Sequence, residues 1–92
     1  MDFGFEWDPR KAVENARKHG VTFSEAMTAF SDPFGLTIHD PDHSLDEQRF
    51  LHLGSTRTGK IVVVAHVLRG DNVRIISARV ATSTERRTYE EA

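Results

Sequence analysis

The strongest fold signal in the sequence is the stretch KIVVVAHVL (residues 60–68). Its apolar residues fall on both faces of an extended chain, which is typical of a strand that is covered from two sides. We therefore predict that this segment is the central strand of a sheet. A turn at residues 69–72 follows it, and residues 73–80 form the last predicted strand.

Three more strands are predicted at residues 3–7, 34–38 and 48–54, where apolar and polar residues alternate. A hairpin turn is expected at 55–59, and HDPDHSLDE (residues 39–47) is a polar turn. Three helices complete the order β-α-α-β-β-β-β-α. This order predicts one α+β domain over residues 1–92, with a largely antiparallel sheet.

The first helix has clear boundary signals. Asp8-Pro9 combines an N-cap residue with a proline at the first helical position, and Gly20 follows the last turn. Its inner stripe is predicted to contain Ala12, Val13, Ala16 and His19. A second, polar stripe is expected to face solvent and consists of Lys11, Asn15 and Lys18.

Two capping boxes mark the starts of the other helices. Thr22 and Glu25 open the second helix, which Asp32-Pro33 ends, and Thr82 opens the terminal helix with Glu85 three residues later. The buried face of the second helix is predicted to contain Phe23, Ala26, Met27 and Phe30. The terminal helix has almost no apolar residues, so a large buried stripe cannot hold it in place.

Composition excludes several classes of protein. The chain has no cysteine, which excludes disulfides and thiolate chemistry and fits a cytoplasmic protein. It also has no apolar run near the roughly 20 residues that a membrane helix needs. Residues 1–48 carry 4 Lys/Arg and 10 Asp/Glu, whereas residues 49–92 carry 8 and 4. The basic second half is either an ordinary dipolar surface or a face for nucleic acid.

Motifs along the whole chain resemble the BrnT family of type II toxins. They are FEWDPRKAVENARKHGVTF, the later DP, EQRFLHLG, RIISAR and ERRTYE. The matching positions are Trp7, Asp8, Lys11, Asn15, Lys18, His19, Gly20, Arg49, Gly54, Arg74, Ser77, Arg79, Arg86 and Tyr89. One departure is Glu47-Gln48, where such proteins often carry Glu-Glu or Glu-Arg.

This resemblance implies a bacterial ribonuclease toxin with a RelE-like fold and no cofactor. It also implies a BrnA-type antitoxin partner, whose DNA-binding domain represses the shared operon, so that a larger assembly could reach operator DNA through the antitoxin. A cytoplasmic location and an RNA substrate follow from the same resemblance.

Cleavage of RNA without a metal needs a proton acceptor, a proton donor and positive charge around the phosphate. The catalytic candidates are Arg79, His66, Arg49 and Glu47. His66 is either an acid–base group or a packed core residue. Glu47 is either a base or the ion-pair partner of Arg49. Four residues in the loop, His39, Asp40, Asp42 and His43, have metal-ligand chemistry, but we predict no metal site because a proline interrupts them.

The candidates for RNA binding are Arg74, Arg86, Tyr89 and Lys18. Strict alternation would place Arg74, Ile76 and Ala78 on one face of the last strand, with Ser77 and Arg79 on the other. Arg79 either binds a phosphate or has a structural role, as arginines in strands often do. We expect Arg74 to pair with a carboxylate inside the fold or to lie at the solvated edge of the sheet. Arg86 could face RNA and Tyr89 could stack on a base. Alternatively, the terminal helix is simply solvated, or the antitoxin covers it and inhibition acts through the same surface.

Two functions from different classes are consistent with this pattern. The first is a metal-independent endoribonuclease toxin that cleaves RNA and is neutralised by an antitoxin. The second is a non-catalytic binding module that docks a DNA-binding partner and assists operator repression. An acid–base group among the arginines would distinguish the first from the second.

Overall fold

The structure, a computed structural model, describes residues 4–40, 42 and 47–92. The helices are α1 (Pro9–His19), α2 (Phe23–Thr28) and α3 (Ser83–Glu91), with a short 3-10 helix (Ala29–Ser31) directly after α2. The strands are β1 (Gly4–Glu6), β2 (Leu36–His39), β3 (Arg49–Ser55), β4 (Ile61–Arg69) and β5 (Asn72–Val80). The predicted α+β order is confirmed. Positions 3, 41 and 43–46 of the predicted first strand and polar turn lie outside the described residues.

The five strands form one sheet in the order β1-β5-β4-β3-β2. The predicted central strand is therefore central, since β4 lies between β3 and β5 and pairs antiparallel with both. Strand β1 pairs with β5 in parallel. This single parallel pair follows from the chain order, because α1 and α2 lie between β1 and the rest of the sheet.

A β-bulge interrupts the pairing of β4 with β5. Ala65 is opposite Ser77, but the next residue, His66, is opposite Ile75. Ile76 is thus the extra residue of β5, and it shifts the alternation of side chains along that strand. The strict alternation that the sequence predicted is wrong beyond this point.

The bulge places residues from both halves of β5 on the same side. Val73, Ile75 and Ala78 all belong to the core under the helices. Arg74 and Arg79, which strict alternation would put on opposite faces, therefore lie on the same face. We call the face covered by α1 and α2 the helix side, and the other face the open side.

The core lies between the helix side of the sheet and the first two helices. Its buried members are Val21, Phe23, Ala26, Ala29, Val62, Val64, Val73, Ile75 and Ala78. Met27 and Phe30, the other predicted core residues of the second helix, are partly buried and pack against this cluster. Among the described residues, no helix is long and apolar enough to cross a bilayer.

Helix α1 corrects the predicted stripes. Asn15, expected to face solvent, is buried, whereas Val13 and His19 are exposed. The Asn15 amide donates to the carbonyl oxygens of Val21 and Ala78 over 2.9 and 2.8 Å, and its Oδ1 accepts from the Ala78 N–H over 3.0 Å. A fully satisfied amide is stable in the interior, so Asn15 ties the helix to β5.

The helix ends follow the predicted signals with one difference. Asp8 caps α1 and Gly20 ends it in the left-handed conformation, with φ of 69°. The reciprocal capping box is complete at α3, where Thr82 and Glu85 bond to each other's backbone. At α2, Thr22 caps the Glu25 N–H, while the Glu25 carboxylate bonds instead to Thr58.

Candidate active site on the open side of the sheet

Arginines from two strands converge on the open side. Across the sheet, Val67 of β4 has Arg49 on one side and Arg74 on the other. Val63, on the same face of β4, has Arg79 as its partner in β5. Arg49, Arg74 and Arg79 therefore share one surface, and their stems can cover the valines that the register places between them.

One row of residues, which includes Leu51 of β3, lies between these arginines. In the row between Val67 and Val63, Ala65 is paired with Ser77 of β5. Adjacent strands are about 4.8 Å apart, so Arg49 and Arg74 flank β4 with Cα atoms roughly 10 Å apart. Arginines therefore lie at both ends of this face, with Arg49 and Arg74 beside Val67 and Arg79 beside Val63.

Carboxylates pair with three arginines of the open side. The pairs are Arg69 with Glu47, Arg74 with Glu6 and Arg79 with Glu85. The Arg79–Glu85 pair is bidentate, with distances of 2.7 and 2.9 Å. As expected from the cost of burying an unpaired charge, Arg74 has a carboxylate partner, 2.8 Å away.

Glu47 has a different partner from the one predicted. Its two oxygens accept from Nε and NH2 of Arg69, over 3.1 and 2.9 Å. These hydrogen bonds are the largest cause that lowers the pKa of Glu47, and the charge of Arg49 adds a smaller effect. The sequence could not show this pair, because the two residues are brought together only by the pairing of β3 with β4.

The other carboxylates of this surface also have low pKa values. Hydrogen bonds from Arg79 lower the pKa of Glu85 from 4.5 to about 2. Hydrogen bonds from Asn72 and Arg74 lower the pKa of Glu6. All of these groups are ionised at neutral pH, so they neutralise the arginines and are weak proton acceptors.

His66 lies on the opposite side of the sheet from the arginines. Its side chain is buried, its Nδ1 lies 3.1 Å from the Val64 carbonyl oxygen, and burial lowers its pKa. The ring meets Phe30 edge-on at 4.9 Å and stacks with Phe50 at 5.8 Å. This environment matches the packed core residue, the alternative that the sequence left open.

The sequence did not single out His52, a second buried histidine. Its Nδ1 is 2.8 Å from the Thr37 hydroxyl and its Nε2 is 2.8 Å from the Ala29 carbonyl oxygen. Phe30 stacks on it with ring centres 4.4 Å apart. Burial lowers its pKa, as for His66. The sequence feature that could have identified His52 as a buried residue is the alternation along β3, because it puts His52 on the same face as Phe50.

The family model described as "Ribonuclease toxin, BrnT, of type II toxin-antitoxin system" matches residues 7–85. The chain belongs to the BrnT family. Its fold is similar to that of the ribonuclease toxin BrnT from Brucella abortus, with a TM-score of 0.65 and 24% sequence identity. That match covers 89% of this chain and 100% of the Brucella chain. No curated protein sequence matches the chain.

Helix α3 of this BrnT-family chain borders the open side. Arg86 is exposed, as RNA binding would require. Tyr89 is half-buried, and its hydroxyl donates to Oδ2 of Asp32 over 2.6 Å. The Ser55 N–H donates to the same oxygen over 2.8 Å. Tyr89 therefore anchors α3 to the sheet.

Lys18, also predicted to bind RNA, does not lie with the arginines. It is exposed in the last turn of α1, and α1 packs on the helix side. Arg49, Arg74, Arg79 and Glu47 share the open side, whereas His66 and Lys18 do not.

An apolar pocket of about 190 Å³ adjoins Arg79. Its lining residues are Leu36, Ile38, Leu51, Leu53, Val63, Glu85 and Thr88. This apolar surface lies next to the arginines, but its lining contains no aromatic ring on which a base could stack. Among the residues that the structure describes, no group of three or more His, Asp or Glu side chains could hold a metal ion, and His43 lies outside them.

Proposed function

We propose that this BrnT-family chain is a metal-independent endoribonuclease that arrests growth by cleaving cytoplasmic RNA, and that a BrnA-type antitoxin neutralises it. The observation that carries the proposal is the shared surface of Arg49, Arg74 and Arg79, which the bulge at Ile76 creates. Guanidinium groups bind phosphates through paired donors, and they stay charged at every physiological pH.

In the proposed reaction, the ribose 2′-oxygen attacks the adjacent phosphorus and the bond to the 5′-oxygen breaks. The 2′-hydroxyl loses a proton, the leaving oxygen gains one, and a 2′,3′-cyclic phosphate forms. Negative charge grows on the phosphoryl oxygens in between. Arg79 and Arg49 stabilise this charge and Arg74 holds the neighbouring backbone. Arg79 and Arg74 give up part of their contact with Glu85 and Glu6 to the phosphate.

The candidate proton acceptor of this site, Glu47, is a weak base. Glu47 lies at the edge of the open side and is exposed, so RNA can reach it. Its lowered pKa makes it a weak base, and we assign most of the rate enhancement to the arginines. We assign His66 to packing, because it lies under the sheet and away from the phosphate site.

Induced expression tests this assignment. The chain is expressed alone in bacteria, with Arg79→Ala beside the matched control Arg87→Ala, an exposed arginine of α3. Growth arrest and fragmentation of total RNA are expected for the parent and the control. Removing one oriented cation lowers the rate by about 10²–10³-fold, so Arg79→Ala should lose both effects while its circular dichroism and melting temperature show a folded protein.

The second candidate, a non-catalytic module that docks a DNA-binding antitoxin at its operator, is favoured by one observation. In the described strands, His39, His52 and His66 all lie on the helix side, so no histidine accompanies the arginines. If the folded parent leaves both growth and purified RNA intact, while its complex with the antitoxin retards operator DNA, this second function replaces the first.

A further inference from the structure

The outer surface of α1 combines an exposed apolar residue with basic groups. Val13 is 71% exposed, the second most exposed large hydrophobic residue of the described chain. Arg10 lies three residues before it and Arg17 four residues after it, so both are its neighbours on the helix surface. Arg10 and Arg17 are also exposed.

A groove runs beside Val13, between α1 and the start of α2. It has a volume of about 230 Å³ and is lined by Trp7, Ala12, Val13, Ala16, Thr22, Phe23 and Ser24. The Trp7 ring stands edge-on against Phe23, with centres 5.9 Å apart, which makes one wall rigid. The groove can take an aliphatic or aromatic side chain. We call Arg10, Val13, Arg17 and this groove the α1 surface.

The charges of α1 differ from those of the open side. In the described part of the chain, the basic groups of Arg10, Lys11 and Lys18 make no ion pair, and Arg17 pairs with Glu14. On the open side, by contrast, Arg69, Arg74 and Arg79 are each paired with a carboxylate. Helix α1 therefore carries a net positive charge, and within the described chain Arg10 is the unpaired basic group next to Val13.

We propose that the α1 surface is the docking site for an acidic segment of the antitoxin, with an apolar side chain of that segment in the groove. An apolar centre with a charged rim is the usual anatomy of a protein–protein interface. RNA fits less well, because the exposed centre, Val13, is aliphatic, and the two rings of the groove are not exposed for stacking: Phe23 is buried and Trp7 is half-buried. This inference rests on the proposed neutralisation by an antitoxin.

The position of the α1 surface separates docking from catalysis. It lies on the helix side, and the arginines that would hold RNA lie across the sheet. An acidic segment bound there does not have to break the ion pairs of the open side in order to attach. Variants of the α1 surface should consequently lose antitoxin binding and keep toxicity.

The experiment co-expresses each variant with the antitoxin of the same operon and measures co-purification, the dissociation constant and rescue of growth. Val13→Glu and Arg10→Glu test the apolar centre and the charged rim. The matched control is Lys11→Glu, which makes the same charge change in the same helical turn but points about 100° away from Arg10. We expect about tenfold or greater weakening for each test variant and near-parental binding for the control.

Three outcomes would overturn the proposal. The parent could fail to bind the antitoxin, the test variants could bind as tightly as the parent, or Lys11→Glu could weaken binding as much as they do. Intact antitoxin binding with lost RNA cleavage in the test variants would show that this surface serves RNA. If the parent binds the antitoxin through Val13 and Arg10 but neither arrests growth nor cleaves RNA, the ribonuclease function is refuted and the docking site is retained.

Discussion

Both carboxylate oxygens of Glu85 accept hydrogen bonds from the guanidinium of Arg79, over 2.7 and 2.9 Å. The same carboxylate accepts from the Thr82 N–H over 2.9 Å and thereby completes the capping box of α3. One side chain thus joins the end of β5 to the start of the last helix. It also competes with any phosphate that Arg79 would bind.

Glu85→Gln should therefore change stability and RNA binding in opposite directions. The amide keeps an acceptor for the Thr82 N–H but loses the charge, so we expect the free energy of unfolding to fall by about 1 kcal/mol. Because Arg79 is no longer neutralised, RNA should bind several-fold more tightly. Urea denaturation gives the first quantity, and fluorescence anisotropy with 2′-O-methyl RNA, which cannot be cleaved, gives the second.

The control for this prediction is Glu14→Gln. It also removes a carboxylate that pairs with an arginine, Arg17, but on the helix side of the sheet. RNA affinity should be unchanged in the control. Equal affinities for the parent and Glu85→Gln would show that Arg79 does not bind a phosphate.

His66→Phe tests whether this histidine is a packing residue. Phenylalanine can keep the ring contacts with Phe30 and Phe50, and burial makes an apolar ring acceptable at this position. We expect a folded protein whose RNA cleavage stays close to the parental rate. His66→Ala should instead lose about 2–4 kcal/mol of stability through the cavity it leaves. A folded His66→Phe without cleavage would return His66 to the acid–base candidates.

The buried histidines should make the protein sensitive to mild acid. Burial lowers the pKa of both His52 and His66, so each is neutral when folded and gains a proton more readily when unfolded. Their contribution to the free energy of unfolding is complete above the pKa of an unfolded histidine, about 6.5. It is lost as the pH falls towards the lower pKa that each histidine has in the folded protein. Each can add a slope of up to about 1.4 kcal/mol per pH unit in that window.

Chemical denaturation between pH 8 and pH 5 measures this slope. The His66→Phe variant should show a shallower dependence than the parent, since it takes up one proton fewer on unfolding. An identical slope in parent and variant would mean that His66 does not change its protonation on unfolding in this range.

Local signals explain why much of the fold could be predicted. The start and end of α1 depend on Asp8, Pro9 and Gly20, which act within a few residues of themselves. The central position of β4 follows from an apolar run whose two faces both need cover. The capping box of α3 likewise involves residues three positions apart.

What the sequence could not predict depends on distant partners. Asn15 is buried because its amide bonds to the backbone of Ala78, 63 positions away in the chain. The bulge at Ile76 arises from the pairing of two strands, and alternation within β5 carries no sign of it. The same holds for Glu47, whose predicted partner was on its own strand and whose actual partner, Arg69, is on the next.

Tyr89→Phe tests the anchor of α3, a helix in which no residue is buried. The variant loses the hydroxyl that donates to Asp32, but Asp32 keeps the N–H groups of Phe34 and Ser55, so no buried acceptor is left alone. We expect about 1 kcal/mol of lost stability. Because few other contacts hold α3, its amide protons should exchange faster, while those of β4 stay protected.

The control for Tyr89→Phe is Thr88→Ala. It removes a neighbouring hydroxyl that bonds only within α3, to the Thr84 carbonyl oxygen. Its effect on hydrogen exchange should be smaller, since the link between helix and sheet remains. If Tyr89→Phe exchanges like the parent but cleaves RNA poorly, the hydroxyl acts on the substrate and not as an anchor. Faster exchange confined to α3 would instead show that Tyr89 anchors this helix, which also carries Glu85, the partner of Arg79.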